Sequence, residues 1–404
     1  MNMFTRTLAT FILWIVYGSL PGKAQQAAPP TYLLKSAVLA QSKAAINRHD
    51  TAKERALSEL VAIANRTLEH GLYAVTYKSK TPPSGDKHNY MSVAPYWWPD
   101  STKANGLPYI RRDGVTNPER YAVKDDEYYN SLCRDVNILG LAWYFTGNVR
   151  YANKAAGLLR TWFLDTVTYM APHLNYGQAI PGITEGRGIG IIDTHMVTAL
   201  IDGVQLLKNS PSLSAADYKG IQDWYRQFLN WMRNSPIGKE EAEEKNNHGT
   251  WYDVQAVAIA LFTEQPALAK EILTTQTNQR INSQLETDGQ QPHELARTLS
   301  WNYSCFNLEA FFELAMLGEN VSVDLWHYVS LDKKSLRNAF AWMLPFAAGN
   351  STWQYQQIKD MHTNGYESLA MAAEKYYPDL GFSALWKKHP RHPGYYFQLT
   401  GWGD

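Results

Sequence analysis

The sequence predicts an all-α protein in which antiparallel helix hairpins stack side by side and close into an (α/α) toroid, or barrel. Three observations lead there. Apolar residues recur at helical 3–4 spacing in one segment after another, with no sustained period-2 alternation. Short polar turns alternate with long loops, most of them rich in Gly, Pro and aromatic residues. No stretch of the chain repeats another, as the units of an open α-solenoid normally do.

Taken in order, helices are expected over residues 51–69, 130–145, 151–166, 193–207, 215–234, 247–262, 267–285, 304–317, 335–346 and 365–377. In the second, Leu132, Val136, Leu139 and Trp143 form one stripe; in the third, Ala155, Leu158, Leu159, Trp162 and Phe163 do. Many starts carry Ser, Thr, Asp or Asn, and several ends carry Gly or Pro. Thr146-Gly147-Asn148 and Thr263-Glu264-Gln265-Pro266 are the short turns. Residues 73–121 and 170–191, with the more charged 238–246, are the long connections. Chemistry is expected on that long-loop side, because scaffolds place functional groups on loops and element ends.

The N-terminus reads as a cleavable signal peptide over residues 1–24. Arg6 precedes an apolar run from Leu8 to Leu20, and small residues stand at the exit if cleavage follows Ala24. The run falls short of the roughly 20 apolar residues that span a bilayer. A periplasmic or secreted protein is expected, with no membrane association after cleavage. Residues 25–404 show no linker or low-complexity segment and are expected to form one catalytic domain, acting as a monomer.

Lys plus Arg and Asp plus Glu each number 38, a balance that argues against a general nucleic-acid binder. An enzyme for an anionic polymer needs only local cations in a groove. Cys133 and Cys305 lack metal-site spacing; export permits a disulfide, and a free thiol is the alternative. Aromatic residues make up 13% of the chain, including 14 Trp and 25 Tyr. Their faces suit sugar rings, although large helical cores use aromatics too.

Four clusters carry the candidate chemistry. Lys87-His88-Asn89-Tyr90 leads to Pro95-Tyr96-Trp97-Trp98-Pro99-Asp100, a wall or lid for sugars or else a packed loop anchor. Asn175-Tyr176-Gly177-Gln178 is followed by Glu185-Gly186-Arg187 and Asp193-Thr194-His195, amide, guanidinium and imidazole groups suited to a carboxylate. Asn246-Asn247-His248-Gly249 opens a predicted helix, where backbone N–H groups favour an anion; an N-cap role explains one of these residues but not the run. Arg297 and Tyr303 stand six apart after Pro292-His293-Glu294, close enough to share a pocket. His362 is a further candidate for substrate contact.

His, Asn, Arg and Tyr together suit β-elimination from a 4-linked uronide. Removing the C5 proton, α to a carboxylate, builds an enolate dianion that expels O4 of the next sugar. The carboxylate must be neutralised, a base must reach C5 and an acid must reach O4. Amides, Arg and His supply the first, and preorganised donors of this kind are often the largest catalytic contribution. Tyr or His supplies the others. A Tyr base, starting near pKa ~10, needs a neighbouring cation to favour its phenolate. No metal or cofactor is expected, since the histidines are scattered without HExxH or paired-Cys spacing. A hydrolase would need two opposed carboxylates. Asp125, Asp126, Glu127, Glu185 and Glu294 are available, but no motif singles out a pair.

The Tyr96-to-Asp100 stretch, Asn175-to-Gln178, Asn246-to-Gly249 and the run from Arg297 through Tyr303 to Glu309 resemble the alginate lyase superfamily of α/α toroids. Polysaccharide lyase family 38 is the nearest fit, related to family 5. The resemblance implies that Tyr303 protonates the leaving O4. It gives His248 the part of base or carboxylate partner, with Asn247 as its amide neighbour. Arg297 would stabilise carboxylate and phenolate. Gln178 and Tyr90 or Tyr96 would line sugar subsites. Apart from the resemblance, the residue types make Trp97, Trp98, Arg187, His195 and His362 further expected substrate contacts. Two features depart from family 5. Ser-Trp-Asn-Tyr-Ser-Cys surrounds Tyr303 in place of His-Tyr-His, and the chain is long enough for about seven helix pairs. The expected substrate is alginate. Glucuronan is the alternative, with a hydrolase or a non-catalytic glycan-binding protein in other classes.

Overall fold

The computed structural model describes residues 30–391 and 393–402. The expected signal segment lies outside them. Helices dominate: α1 (Ser36–Asn47), α2 (Thr51–Thr67), α3 (Asp125–Thr146), α4 (Val149–Phe163), α5 (Val197–Leu207), α6 (Ala215–Asn234), α7 (Pro236–Ala242) and α8 (Asn247–Phe262). They continue with α9 (Pro266–Ile272), α10 (Asn278–Gln284), α11 (Pro292–Leu295), α12 (Ser300–Gly318), α13 (Leu336–Ala347), α14 (Asn364–Tyr376), α15 (Ser383–Lys388) and α16 (Tyr395–Thr400).

Two kinds of helix make two layers. All of α8 except His248 is buried, and α5 and α12 are apolar on nearly every side. Helices of that composition belong inside. With α3 they form the inner layer, where α3 packs on α5, α5 on α8 and α8 on α12. Helices α2, α4 and α6 carry one apolar face each and lie outside them. At the α3–α5 contact a Cβ on Gly140 would come within 2.9 Å of the Gly203 carbonyl oxygen, so the backbones meet without side chains between them. Near the C-terminus, α16 packs on α1 and α2, and Tyr396 donates 2.9 Å to Asn137 of α3. The last described helix thus returns to the first two, as a closed ring requires.

The hairpin turns follow local chemistry. Gly147 ends α3 in the left-handed region at φ 70°, and the Asn148 side chain then caps α4. Ser214 and Asp217 form a capping box on α6. On the opposite side, the long loops are stitched by short strands: β1 (Met91–Val93), β2 (Trp97–Trp98), β3 (Ile110–Arg111) and β4 (Tyr176–Ala179). β1 pairs with β4 in parallel, and β2 pairs with β3 as an antiparallel ribbon.

Several expectations need correction. The helix expected from residue 193 begins at Val197, after a 3-10 turn over Gly188–Thr194. The one expected over 267–285 is broken by a π turn at Leu273–Thr277. The charged connection contains α7, and the aromatic loop contains a strand. Cys133 and Cys305 are free thiols.

Candidate functional site

The N-terminus of α8 opens onto a cleft of about 530 Å³ beneath the stitched loops. Asn246 caps the helix by accepting from the His248 backbone N–H at 2.9 Å. Asn247 is tied to Glu294 of α11, its backbone N–H donating to Oε1 at 2.6 Å and its Nδ2 to Oε2 at 2.8 Å. His248 is held from the other side by Glu241 of α7, with 2.9 Å between Nδ1 and Oε1. A carboxylate only accepts, so Nδ1 carries the proton and Nε2 remains for a substrate. Burial opposes charge on both partners, lowering the imidazole and raising the carboxyl. For His248 the Glu241 carboxylate, together with Glu244 and Glu294, outweighs burial, and its pKa ends above the usual 6.5. For Glu241 burial outweighs the imidazole, and its pKa also ends raised.

Across the cleft, Tyr303 lies in the first turn of α12 and donates to the Tyr96 hydroxyl at 2.8 Å. The Arg297 guanidinium sits 3.6 Å from the centre of the Tyr303 ring. Asp113, just past β3, accepts from Arg297 Nε at 3.1 Å and Nη2 at 2.8 Å. Burial pushes the Asp113 carboxyl up, but these bonds and the Arg297 charge prevail and hold it well below the carboxylate range. Burial, reinforced by Tyr96, raises the Tyr303 phenol well above its usual value, while Arg297 pulls the other way.

Tyr96, Trp97, Gln178, Arg187, Asn247, His248, Arg297 and Tyr303 all line this cleft, so the structure brings together eight of the residues singled out above. Gln178 adopts φ 49° and bridges Asp193 and Arg187, donating to the first and accepting from the second, each at 2.9 Å. His362 lines an adjoining groove of about 450 Å³ with Asn302 and Lys359; Tyr96, Tyr303 and Phe306 face both spaces.

Three expected substrate contacts stand elsewhere. Tyr90 is fully buried and donates to Asp193 at 2.9 Å, making it a support of the wall. Trp98 alternates with Trp97 along β2, so it faces away from the cleft and packs on Arg112. His195 donates from Nδ1 to the Ile192 carbonyl and meets Trp251 and Phe306 edge-on, behind the lining, where burial lowers its pKa.

Conversely, Arg111, Asp113, Glu240, Glu241, Glu244, Phe306 and Lys359 were not singled out by sequence reasoning. Asp113 had a local signal, the Asp113-Gly114 turn after two arginines. Glu241 had none, lying in a charged run that reads as solvated.

Residues 74–353 match the family described as alginate lyase. The chain is also similar to the crystal structure of an alginate lyase from Bacteroides ovatus, at 36% identity and TM-score 0.87, covering 92% of this chain and 99% of that one. Alginate lyase A1-III from a Sphingomonas species shares the fold at 15% identity and TM-score 0.51, over 80% of this chain and 89% of that one. A form of A1-III complexed with a tetrasaccharide gives TM-score 0.55 at 14% identity, over 81% of this chain and 88% of that one. No curated protein matches the sequence.

Proposed function

The chain belongs to the alginate lyase family, and on that premise we propose that it cleaves alginate by β-elimination at the cleft between His248 and Tyr303. One observation carries the reading. An imidazole and a phenol face one cleft, each backed by a charged partner: Glu241 behind His248 and Arg297 against Tyr303.

The uronate carboxylate binds where amide and cationic groups converge, at Asn247 beside the α8 N-terminus, with Arg187 and Gln178 nearby, which leaves His248 Nε2 free to face C5. Tyr303, kept a phenol by burial, gives its proton to O4 as the C4–O4 bond breaks. The base follows from stereochemistry. In guluronate H5 and O4 leave from opposite faces, so His248 Nε2 takes H5 while Tyr303 protonates O4. In mannuronate both leave from one face. Tyr303 then acts as phenolate, takes H5 and returns that proton to O4, with Arg297 as the cation that favours the phenolate. The presence of both groups supports action on both sugars.

Within the family, the Ser-Trp-Asn-Tyr-Ser-Cys surroundings of Tyr303 differ from the His-Tyr-His of family 5, which favours a placement outside family 5, with family 38 the nearest fit. The test is incubation with polymannuronate, polyguluronate and glucuronan in the presence of EDTA. Ultraviolet absorbance from the new C4=C5 double bond is expected with the first two. Absorbance with glucuronan alone would replace alginate as substrate. New reducing ends without absorbance would point to hydrolysis, for which Glu240 and Glu244 in the cleft lining are the available carboxylates.

A further inference from the structure

Asp113 touches neither of the two groups assigned to proton transfer, yet it joins the cleft's roof to its floor. It lies 184 positions before Arg297 in the chain, just beyond the ribbon strand β3. Both of its oxygens engage the guanidinium, at 3.1 and 2.8 Å. A two-point contact fixes the plane of an arginine, not merely its position. With Nε and Nη2 so occupied, the flat face of the guanidinium is the surface left for the Tyr303 ring.

The same carboxylate anchors the ribbon. The Thr298 N–H donates to Oδ2 at 3.3 Å, and the Thr298 hydroxyl lies 3.0 Å from both Oδ2 and the Asp113 carbonyl oxygen. Arg111, paired with Trp97 across the ribbon, donates to Oδ1 at 2.8 Å. The turn then closes at Gly114, φ 73°, where a Cβ would stand 2.6 Å from the Thr298 hydroxyl. Trp97 and Arg111, which this turn holds in place, both line the cleft.

We infer that Asp113 is a positioning residue for the elimination: it orients Arg297 on the Tyr303 ring, and the same carboxylate latches the aromatic ribbon over the bound polymer. The inference rests on the proposed lyase reading and extends it to a residue that never meets the sugar. Arg297 loses its fixed plane when Asp113 lets go, so the state of the ribbon and the alignment of the phenol change together.

The test compares Asp113→Asn, Asp113→Glu and Thr298→Val with the wild type on polymannuronate, reading kcat and KM separately. Asn keeps the size but loses one of the two Arg297 bonds. Val removes the latch hydroxyl and leaves the Arg297 bonds intact. A kcat at least about tenfold lower for Asp113→Asn, with KM within about threefold, is expected. Thr298→Val should stay near wild type in kcat. Wild-type kcat in Asp113→Asn overturns the inference. So does an equal fall in Thr298→Val, which would make Asp113 a latch only. If Asp113→Asn does not fold, Asp113→Glu, which displaces the fork by one methylene, should show the same fall in kcat; wild-type kcat there also overturns it. Wild-type enzyme without elimination activity would instead remove the proposed function on which the inference rests.

Discussion

The Arg297 guanidinium lies 3.6 Å from the centre of the Tyr303 ring, and the Tyr303 hydroxyl bonds only to Tyr96 among the described residues. A cation over a desolvated ring is worth about 2 kcal/mol, and it is the local feature that favours a phenolate against burial. Arg297→Lys, which keeps the charge but not the planar stack, should lower kcat on polymannuronate by about tenfold or more. It should cost less on polyguluronate, where Tyr303 acts only as a phenol. Parallel rate measurements on the two polymers check this, and equal losses would contradict it.

Glu241 makes the opposite prediction. Glu241→Gln removes the carboxylate that orients His248 and raises its pKa. Losing an orienting carboxylate behind a working imidazole is costly. Activity on polyguluronate should fall at least about tenfold, well beyond the loss on polymannuronate. The acid-side limb of the polyguluronate pH profile, which reports neutral His248, should move to lower pH in this variant. A limb that stays in place would remove His248 from the role of base.

The two substrates should also differ in pH dependence in the wild type. Under the proposed mechanism, polyguluronate cleavage needs neutral His248, whose pKa lies above 6.5. Under the same mechanism, polymannuronate cleavage needs ionised Tyr303, whose pKa is raised above 10.0 by burial and Tyr96. The acid-side limb should therefore lie at higher pH on polymannuronate. Coincident limbs would mean that one group serves both sugars.

Neighbouring tryptophans should behave differently. Trp97 lines the cleft, whereas Trp98 packs on Arg112 and donates to the Val115 carbonyl at 2.9 Å. Trp97→Ala should raise KM by roughly threefold to tenfold, the value of one aromatic stacking contact. Trp98→Ala should act mainly on ribbon stability. KM and thermal midpoints of both variants separate the two roles.

Stability should carry the mark of Asp202 on α5. It is buried, and burial pushes its carboxyl up to about 7 against the pull of backbone N–H bonds from Leu34 and Tyr32. The folded pKa lies above the unfolded value. Its contribution is therefore full below about pH 4 and is lost as pH rises through about 7. The melting temperature of Asp202→Asn should fall less than that of the wild type between about pH 5 and pH 8. Parallel curves would contradict the assignment.

Much of the scaffold was legible because its signals are local. The bounds of α6 and α8 coincide with those expected, since the Ser214–Asp217 capping box and the Asn246 cap are read directly from neighbouring residues. The Asn247-His248 and Arg297…Tyr303 pairs share one cleft, as their residue types suggested. What escaped was set by distant contacts. A two-residue strand has no periodicity, so nothing in Trp97-Trp98 reveals which ring faces the cleft. Glu241 owes its burial to α7 folding against α8, and Asp113 meets Arg297 only after the ring of helices has closed. Tyr90 sits in an aromatic run like a sugar contact, and only Asp193, 103 positions later, explains its burial.

Under the proposed mechanism the Tyr303 hydroxyl carries the leaving-group proton for both sugars. Tyr303→Phe removes that one oxygen and keeps the ring on which Arg297 stacks. The most direct measurement is the initial rate of ultraviolet absorbance from the C4=C5 bond with polymannuronate and polyguluronate, wild type beside Tyr303→Phe. A fall of about 10²–10⁴-fold or more is expected on both polymers, with an unchanged melting temperature. A variant that keeps wild-type rates on either polymer would contradict it.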